Sequence, residues 1–328
     1  MRRREFIALV GSTAAAWPLA VRAQQPAMPV IGFLNVAFAA GYPGPLSAFL
    51  KGLAETGYTD GQNVTIQYCW AEGHYDRLSG MASDLVRRQV TVIAATSTPA
   101  ALAAKAATST IPIVFETGGD PIKLGLVTSL NRPGGNVTGA ASLAVEVMAA
   151  KGLELLHELI PAGRVVGLLV NPNDPAAAEP QEREVLRAAR TLGLEVHVLN
   201  AGAEREFDGV FAKLDELRVS APMISADAFF TSHTEQLATL AVRHALPAVY
   251  ARRGFATAGG LVTYGSDITE SYRLAGIYTG RVLKGDKPAD LPVQQATKVE
   301  LIINLKAAKA LGINVPLPIL GRADEVIE

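Results

Sequence analysis

The feature that most constrains this chain is an alternation, carried through twice, of short β-branched or apolar runs with longer Ala-rich amphipathic segments. The runs Val30 to Leu34, Val64 to Tyr68, Val90 to Ala95, Ile111 to Phe115 and Asn136 to Gly139 come first. Stretches of helical spacing at Pro45 to Thr56, Tyr75 to Arg88 and Pro99 to Thr108 separate them. Runs that are apolar at consecutive positions suit strands covered on both faces, so the repeating unit is βα and the sheet parallel. A second series places strands at Val165 to Val170, Glu195 to Leu199, Ala221 to Ser225 and Pro247 to Tyr250, with helices near Pro175 to Leu192, Glu204 to Leu217 and Thr234 to His244. The fold class is therefore α/β with two doubly wound parallel-sheet halves, and 328 residues suit two domains of roughly 150 each.

The tail adds a strand at Leu261 to Tyr264, a helix from Asp267 to Lys284, an extended Pro292 to Thr297 and a helix from Val299 to Leu311. We expect lobe 1 to comprise 27–142 plus 262–291 and lobe 2 to comprise 143–261 plus 292–328. Several crossings of this kind make a hinge. Arg132 to Asn136 reads as a turn, because Pro fixes one φ and Gly supplies a positive one.

The N-terminus reads as an export signal. Arg2, Arg3 and Arg4 precede an apolar run from Phe6 to Val21, and Val21-Arg22-Ala23 gives a small-x-small cleavage pattern after Ala23. The arginine pair, the Ala-rich run and the late Arg22 are similar to twin-arginine signals. Gly11, Ser12, Thr13 and Pro18 interrupt the run, which falls short of the roughly 20 residues a membrane span needs. Gln24 would follow the cleavage site, so no cysteine is available there for a lipid anchor, and we expect a freely diffusing periplasmic monomer.

Residues 1–23 hold four of the 30 basic and one of the 31 acidic residues, which leaves a processed chain at net −4. That mild acidic balance lacks the basic stripe of a nucleic-acid binder. Cys69 is the only cysteine, falls in an expected strand and reads as a small buried apolar residue.

Enzymatic equipment is missing. The loop from Asn35 to Gly44 lacks the glycine spacing that lets a backbone approach a pyrophosphate, no phosphate-binding loop or nucleophile elbow occurs, and no cofactor is implied. His74, His157, His197, His233 and His244 have no metal-ligand spacing, and Pro161 stands where a second zinc-binding histidine would follow His157.

In open α/β sheets ligands bind at the carboxyl ends of strands, so the loops there are the candidate site. Asn35, Phe38 and Tyr42 follow the first strand. Ser97 and Thr98 follow the third, before Pro99, and read either as a plain helix cap or as hydroxyls beside free N–H groups that receive a carboxylate. Asp120 follows Gly118 and Gly119. Asp227 and Phe229 follow the strand ending at Ser225, where the aspartate either caps the next helix or meets a ligand ammonium. Tyr250 and Tyr264 complete the rim, and the pair Arg252 and Arg253 reads as surface charge or as a selector of acidic ligands.

These segments resemble a known family, the ABC-transporter substrate-binding proteins related to tryptophan and tyrosine binders. The resemblance rests on Phe49 to Gly57, Thr98-Pro99-Ala100, Asp120-Pro121, Arg132 to Gly139, Asn171-Pro172, Asp227, Gly259-Gly260-Leu261, Val282 to Pro288 and Leu311-Gly312-Ile313. It implies a type I periplasmic-binding fold, with two Rossmann-like lobes closing on an amino-acid-like ligand, an aromatic one favoured. It further implies no catalysis, an ABC permease of the inner membrane as partner, and Thr98 and Asp227 as carboxylate and ammonium contacts. An exported α/β enzyme acting on a small carboxylate and a periplasmic sensing subunit are the alternatives.

Overall fold

A computed structural model of the chain describes residues 28–142 and 145–328. The expected export signal, residues 1–23, lies outside them. In chain order the first series is β1 (Val30–Asn35), α1 (Pro43–Glu55), β2 (Thr65–Trp70), α2 (Arg77–Arg87), β3 (Val92–Ala95), α3 (Thr98–Ala107), β4 (Ile113–Thr117) and β5 (Val137–Ser142). Next come α4 (Val145–Leu159), β6 (Val165–Val170), α5 (Pro175–Leu192), β7 (Glu195–Asn200), α6 (Phe207–Glu216), β8 (Ala221–Ile224) and α7 (Ala228–Ser232). The second series ends with α8 (Thr234–Arg243), β9 (Val249–Tyr250), α9 (Arg253–Thr257) and β10 (Val262–Ser266). The tail holds α10 (Ile268–Leu283), β11 (Gln294–Ala296), β12 (Val299–Asn304), α11 (Leu305–Ala310), α12 (Leu317–Leu320) and β13 (Glu325–Ile327).

Two sheets result. The first, in order β2-β1-β3-β4-β5-β11, is parallel throughout. The second, β7-β6-β8-β9-β10-β12-β13, is parallel except where β12 runs antiparallel to β10. Strands β3, β4 and β5 are buried at every position, as two-sided coverage by helices demands. Leu153, Leu156, Leu168 and Ile303 sit in the core of one face of the second sheet, and Phe207, Phe211 and Phe230 in the other.

The chain passes between the lobes three times, after β5, between β10 and α10, and between β11 and β12. The expected lobe limits at 262 and 291 therefore shift. Strand β10 pairs with β9 and so belongs to lobe 2, while β11 pairs with β5 and belongs to lobe 1. Sequence spacing alone does not say which sheet edge a late strand joins. Between these strands α10 lies along α1, and Gly276 permits it, since a Cβ there would collide with the Phe49 carbonyl.

Two further differences concern elements. Helix α4 had no counterpart in the sequence reading, although Leu153, Leu155, Leu156 and Leu159 bury one of its faces. The expected helix Val299 to Leu311 is strand β12 followed by α11. Leu301, Ile302 and Ile303 are buried in the sheet, and the Asn304 side chain starts the helix by accepting from Ala307 N–H at 2.9 Å. Among the described residues no helix is long and apolar enough to cross a membrane, and no cluster of three or more metal-ligating side chains occurs.

Candidate ligand-binding cleft

Residues following β3, β4 and β5 in one lobe and β6, β8 and β9 in the other line a cavity of about 340 Å³ between them. The lobes touch around its rim. Tyr75, ahead of α2 in lobe 1, donates its hydroxyl to Asp227 Oδ2 at 3.0 Å and accepts from Asn171 Nδ2 at 2.8 Å. Phe38 N–H donates to Ser232 Oγ at 3.2 Å, and Tyr42 O–H to the Ala228 carbonyl at 3.4 Å.

Lobe 1 presents the start of α3. Ser97 occupies the N-cap position but its side chain makes no capping bond, and its hydroxyl instead accepts from Val36 N–H at 3.4 Å. Thr98 Oγ1 shares a hydrogen bond of 2.7 Å with Thr117 Oγ1. The plain-cap alternative thus fails for both hydroxyls, and the positive end of the α3 dipole faces the cavity without a side-chain acceptor.

Lobe 2 presents carboxylates. Asp174 caps α5 by accepting from Ala177 N–H at 3.2 Å, and Asp227 caps α7 by accepting from Phe230 N–H at 3.0 Å. Both are buried, and both line the cavity. Burial, joined by the charge of Asp227, pushes Asp174 up to about 7. Burial likewise raises Asp227, against the hydrogen bonds from Phe230, Asn171 and Tyr75 that favour its charged form.

A second polar group lies in the same cavity. Glu116, near the end of β4, is buried and accepts from Ser271 Oγ at 2.9 Å on Oε1. Burial pushes its carboxyl up to about 7, opposed by the Ser271 hydrogen bond and by the charge of Arg252. Arg252, just after β9, donates from Nε to Thr231 Oγ1 at 3.2 Å. Its charge also acts on Tyr42, whose phenol burial raises far above its usual range. Tyr42 and Tyr272 pack with ring centroids 6.1 Å apart and supply the aromatic surface of the cavity.

Of the residues read from sequence, Tyr42, Ser97, Thr98, Asp120 and Asp227 line the cavity. Asp120 also folds its own turn, its Oδ1 accepting from Ile122 and Lys123 N–H at 2.9 and 3.3 Å. The other five lie elsewhere. Asn35 is fully buried and braces the β3–α3 turn, donating to the Thr96 carbonyl at 2.7 Å and to Tyr272 O–H at 3.0 Å. Phe38 packs edge-on to His233 at 5.2 Å and faces a different groove. Phe229 is buried among Phe207, Phe230 and His233. Tyr250 is buried with its hydroxyl shared with Thr231 at 3.2 Å, and Tyr264 packs against the lobe 2 core. A strand turns successive side chains to opposite faces, and Phe229 packs with the Phe207 cluster of the lobe 2 core, so nearness in sequence to a strand end does not aim a side chain at the cleft.

Asp174, Glu116 and Tyr272 were missed, and Arg252 was left undecided. For Asp174 a signal existed, since Asp174-Pro175 after a strand is the same cap-at-strand-end pattern as Asp227. Arg253 turns to the surface, where it pairs with Glu325 at 2.5 Å.

Residues 44–327 match a family model described as ABC transporter substrate binding protein. The chain belongs to the ABC-transporter substrate-binding protein family. It is 30% identical over 275 residues, 80% of this chain and 75% of the relative, to a tyrosine-binding protein of Clostridioides difficile (strain R20291). Among solved structures, an ABC domain in complex with L-Trp from Streptococcus pneumonia matches with TM-score 0.80 and 28% identity, over 91% of this chain and 99% of the other. A ligand-free, open structure of a substrate-binding protein with adhesive properties from Clostridium difficile covers the same shares at 25% identity, with TM-score 0.61. The family is one of substrate-binding proteins, and its two-lobed fold is the type I periplasmic-binding fold of the structural neighbours.

Proposed function

We propose that this substrate-binding protein captures an amino acid, an aromatic one first, between its lobes outside the cytoplasmic membrane and delivers it to an ABC permease of the inner membrane. The observation that carries the reading is the opposite polarity of the two cleft walls. An uncapped helix start with Ser97 and Thr98 faces the cavity from lobe 1, and Asp174 and Asp227 face it from lobe 2. A zwitterion spans that arrangement, its carboxylate on the α3 start and its ammonium between the aspartates. Because each charge meets a different lobe, binding favours the closed form, in which alone both contacts exist. The relatives named for tyrosine and bound to L-Trp support the ligand class, and the better fit to the complex than to the open form supports a closed arrangement here. Residues 1–23 would route a monomeric protein to the periplasm and be cleaved after Ala23.

The test is a thermal-shift and calorimetry screen of the processed protein against the common amino acids and small carboxylates. A saturating ligand raises the melting temperature by mass action, and the reading expects aromatic amino acids at the head of the ranking with one bound per chain. Turnover of any panel member, or binding of carboxylates that lack an ammonium with equal strength, overturns it.

A further inference from the structure

Glu116 and Arg252 are two of the charged groups lining the cavity that a zwitterion's two charges leave unused, beside Asp120, Lys123, Glu146, Arg183 and Glu184. Glu116 and Arg252 come from opposite lobes. Glu116 is 6% exposed, and Ser271 Oγ is the donor found for its carboxylate among the described residues, on Oε1. Arg252 spends Nε on Thr231 and forms no ion pair among the described residues, so the two terminal nitrogens of its guanidinium remain for a ligand. Above about pH 7, where Glu116 is ionised, its carboxylate only accepts, and a guanidinium only donates. Since these two share one cavity without being paired to each other, the group that satisfies both at once must donate and accept. A hydroxyl does so; an indole N–H satisfies Glu116 alone, a ligand carboxylate satisfies Arg252 alone, and a phenyl ring satisfies neither.

Resting on the amino-acid reading above, we infer that Glu116 and Arg252 are specificity-determining residues that select a ligand whose side chain ends in a hydroxyl, with Tyr42 and Tyr272 packing on the ring that carries it. Because Glu116 belongs to lobe 1 and Arg252 to lobe 2, a hydroxyl that meets both adds a second bridge between the lobes besides the zwitterion. An analogue without the hydroxyl leaves a buried acceptor and a half-buried cation unpaired, and pockets built on such polar pairs discriminate for that reason.

Calorimetric titration of the processed protein with L-tyrosine, L-phenylalanine and L-tryptophan tests the assignment. L-tyrosine should bind at least about tenfold more tightly than L-phenylalanine, the ratio expected when a hydrogen bond to a charged group is lost. Arg252→Met should bring L-tyrosine down to the L-phenylalanine level and leave L-phenylalanine within about twofold; Glu116→Gln, which keeps an acceptor for Ser271, should narrow the ratio less. The wild-type ratio alone decides the matter if a variant fails to fold, as circular dichroism would reveal. L-phenylalanine binding as tightly as L-tyrosine, or Arg252→Met weakening both equally, overturns the inference and leaves the amino-acid reading intact. Failure of the wild-type protein to bind any of the three overturns both.

Discussion

In lobe 1, α3 starts at Ser97 without a side-chain cap, whereas in lobe 2 α5 and α7 start at Asp174 and Asp227, each accepting a bond from its own first turn. Both lobes use the same device, a helix starting just after a parallel strand, and reach opposite polarity with it. Where no side chain neutralises the helix start, its N–H groups and dipole are available to an anion. Where an aspartate caps the helix, the dipole is spent internally, and the rest of the carboxylate, held in place by the cap, is left for a cation. On the proposed amino-acid reading, the capping choice at one residue per helix decides which end of the zwitterion each lobe receives.

The strongest way to break this comparison is to give lobe 1 the lobe 2 chemistry. Ser97→Asp caps α3 and sets a carboxylate against the ligand's own, and like charges at that range cost several kcal/mol. Affinity for the best ligand of the screen should fall by about two orders of magnitude or more in calorimetry, with the circular dichroism spectrum unchanged. An affinity within threefold of wild type would place the ligand carboxylate elsewhere.

Asp227→Asn removes the charge while keeping the shape, and should weaken binding about ten- to a hundredfold, as loss of one charge-assisted hydrogen bond implies. If this variant keeps wild-type affinity and loses melting temperature, the cap on α7 and the bond from Tyr75 are its whole role, and Asp174 holds the ammonium alone.

The smallest expected effect is in pH. Asp174 titrates near 7 when folded, whereas an unfolded chain releases that proton at about 4. The folded protein thus holds a proton that the unfolded chain has lost, so this contribution to stability is present below about pH 4 and is lost as pH rises towards 7. Ligand binding runs the other way, because the ammonium needs the charged carboxylate. Between about pH 5 and 7.5 the melting temperature of the free protein should fall while affinity rises severalfold; Asp174→Asn should flatten the affinity trend and reduce the melting trend, whose remainder comes from Glu116, likewise pushed up to about 7. Parallel rather than opposite trends would show that Asp174 does not face the ammonium.

The sequence read well where its signals are local. Alternating runs placed most of the helices and strands, and strand-end position pointed to Thr98 and Asp227, which line the cavity, because a βα turn is written within a few residues. It failed where the partner is remote. The apolar stretch Leu301 to Ile303 suits a helix or a strand until β10 offers its edge, and the aromatic residues Phe38, Phe229, Tyr250 and Tyr264 sit at strand ends yet pack away from the cavity.

What the sequence by itself determined is the βα repeat and its division into two series, since hydrophobic period acts over one or two turns; whether Ser97 caps its helix was settled only by the fold, where its hydroxyl turns to Val36 N–H. The tertiary structure alone decided which sheet the tail strands joined, which side chains face the cleft, and that Glu116 and Arg252 from different lobes meet one cavity. Those outcomes depend on sheet edges and on the docking of one lobe against the other, interactions between segments far apart in the chain that no local pattern encodes.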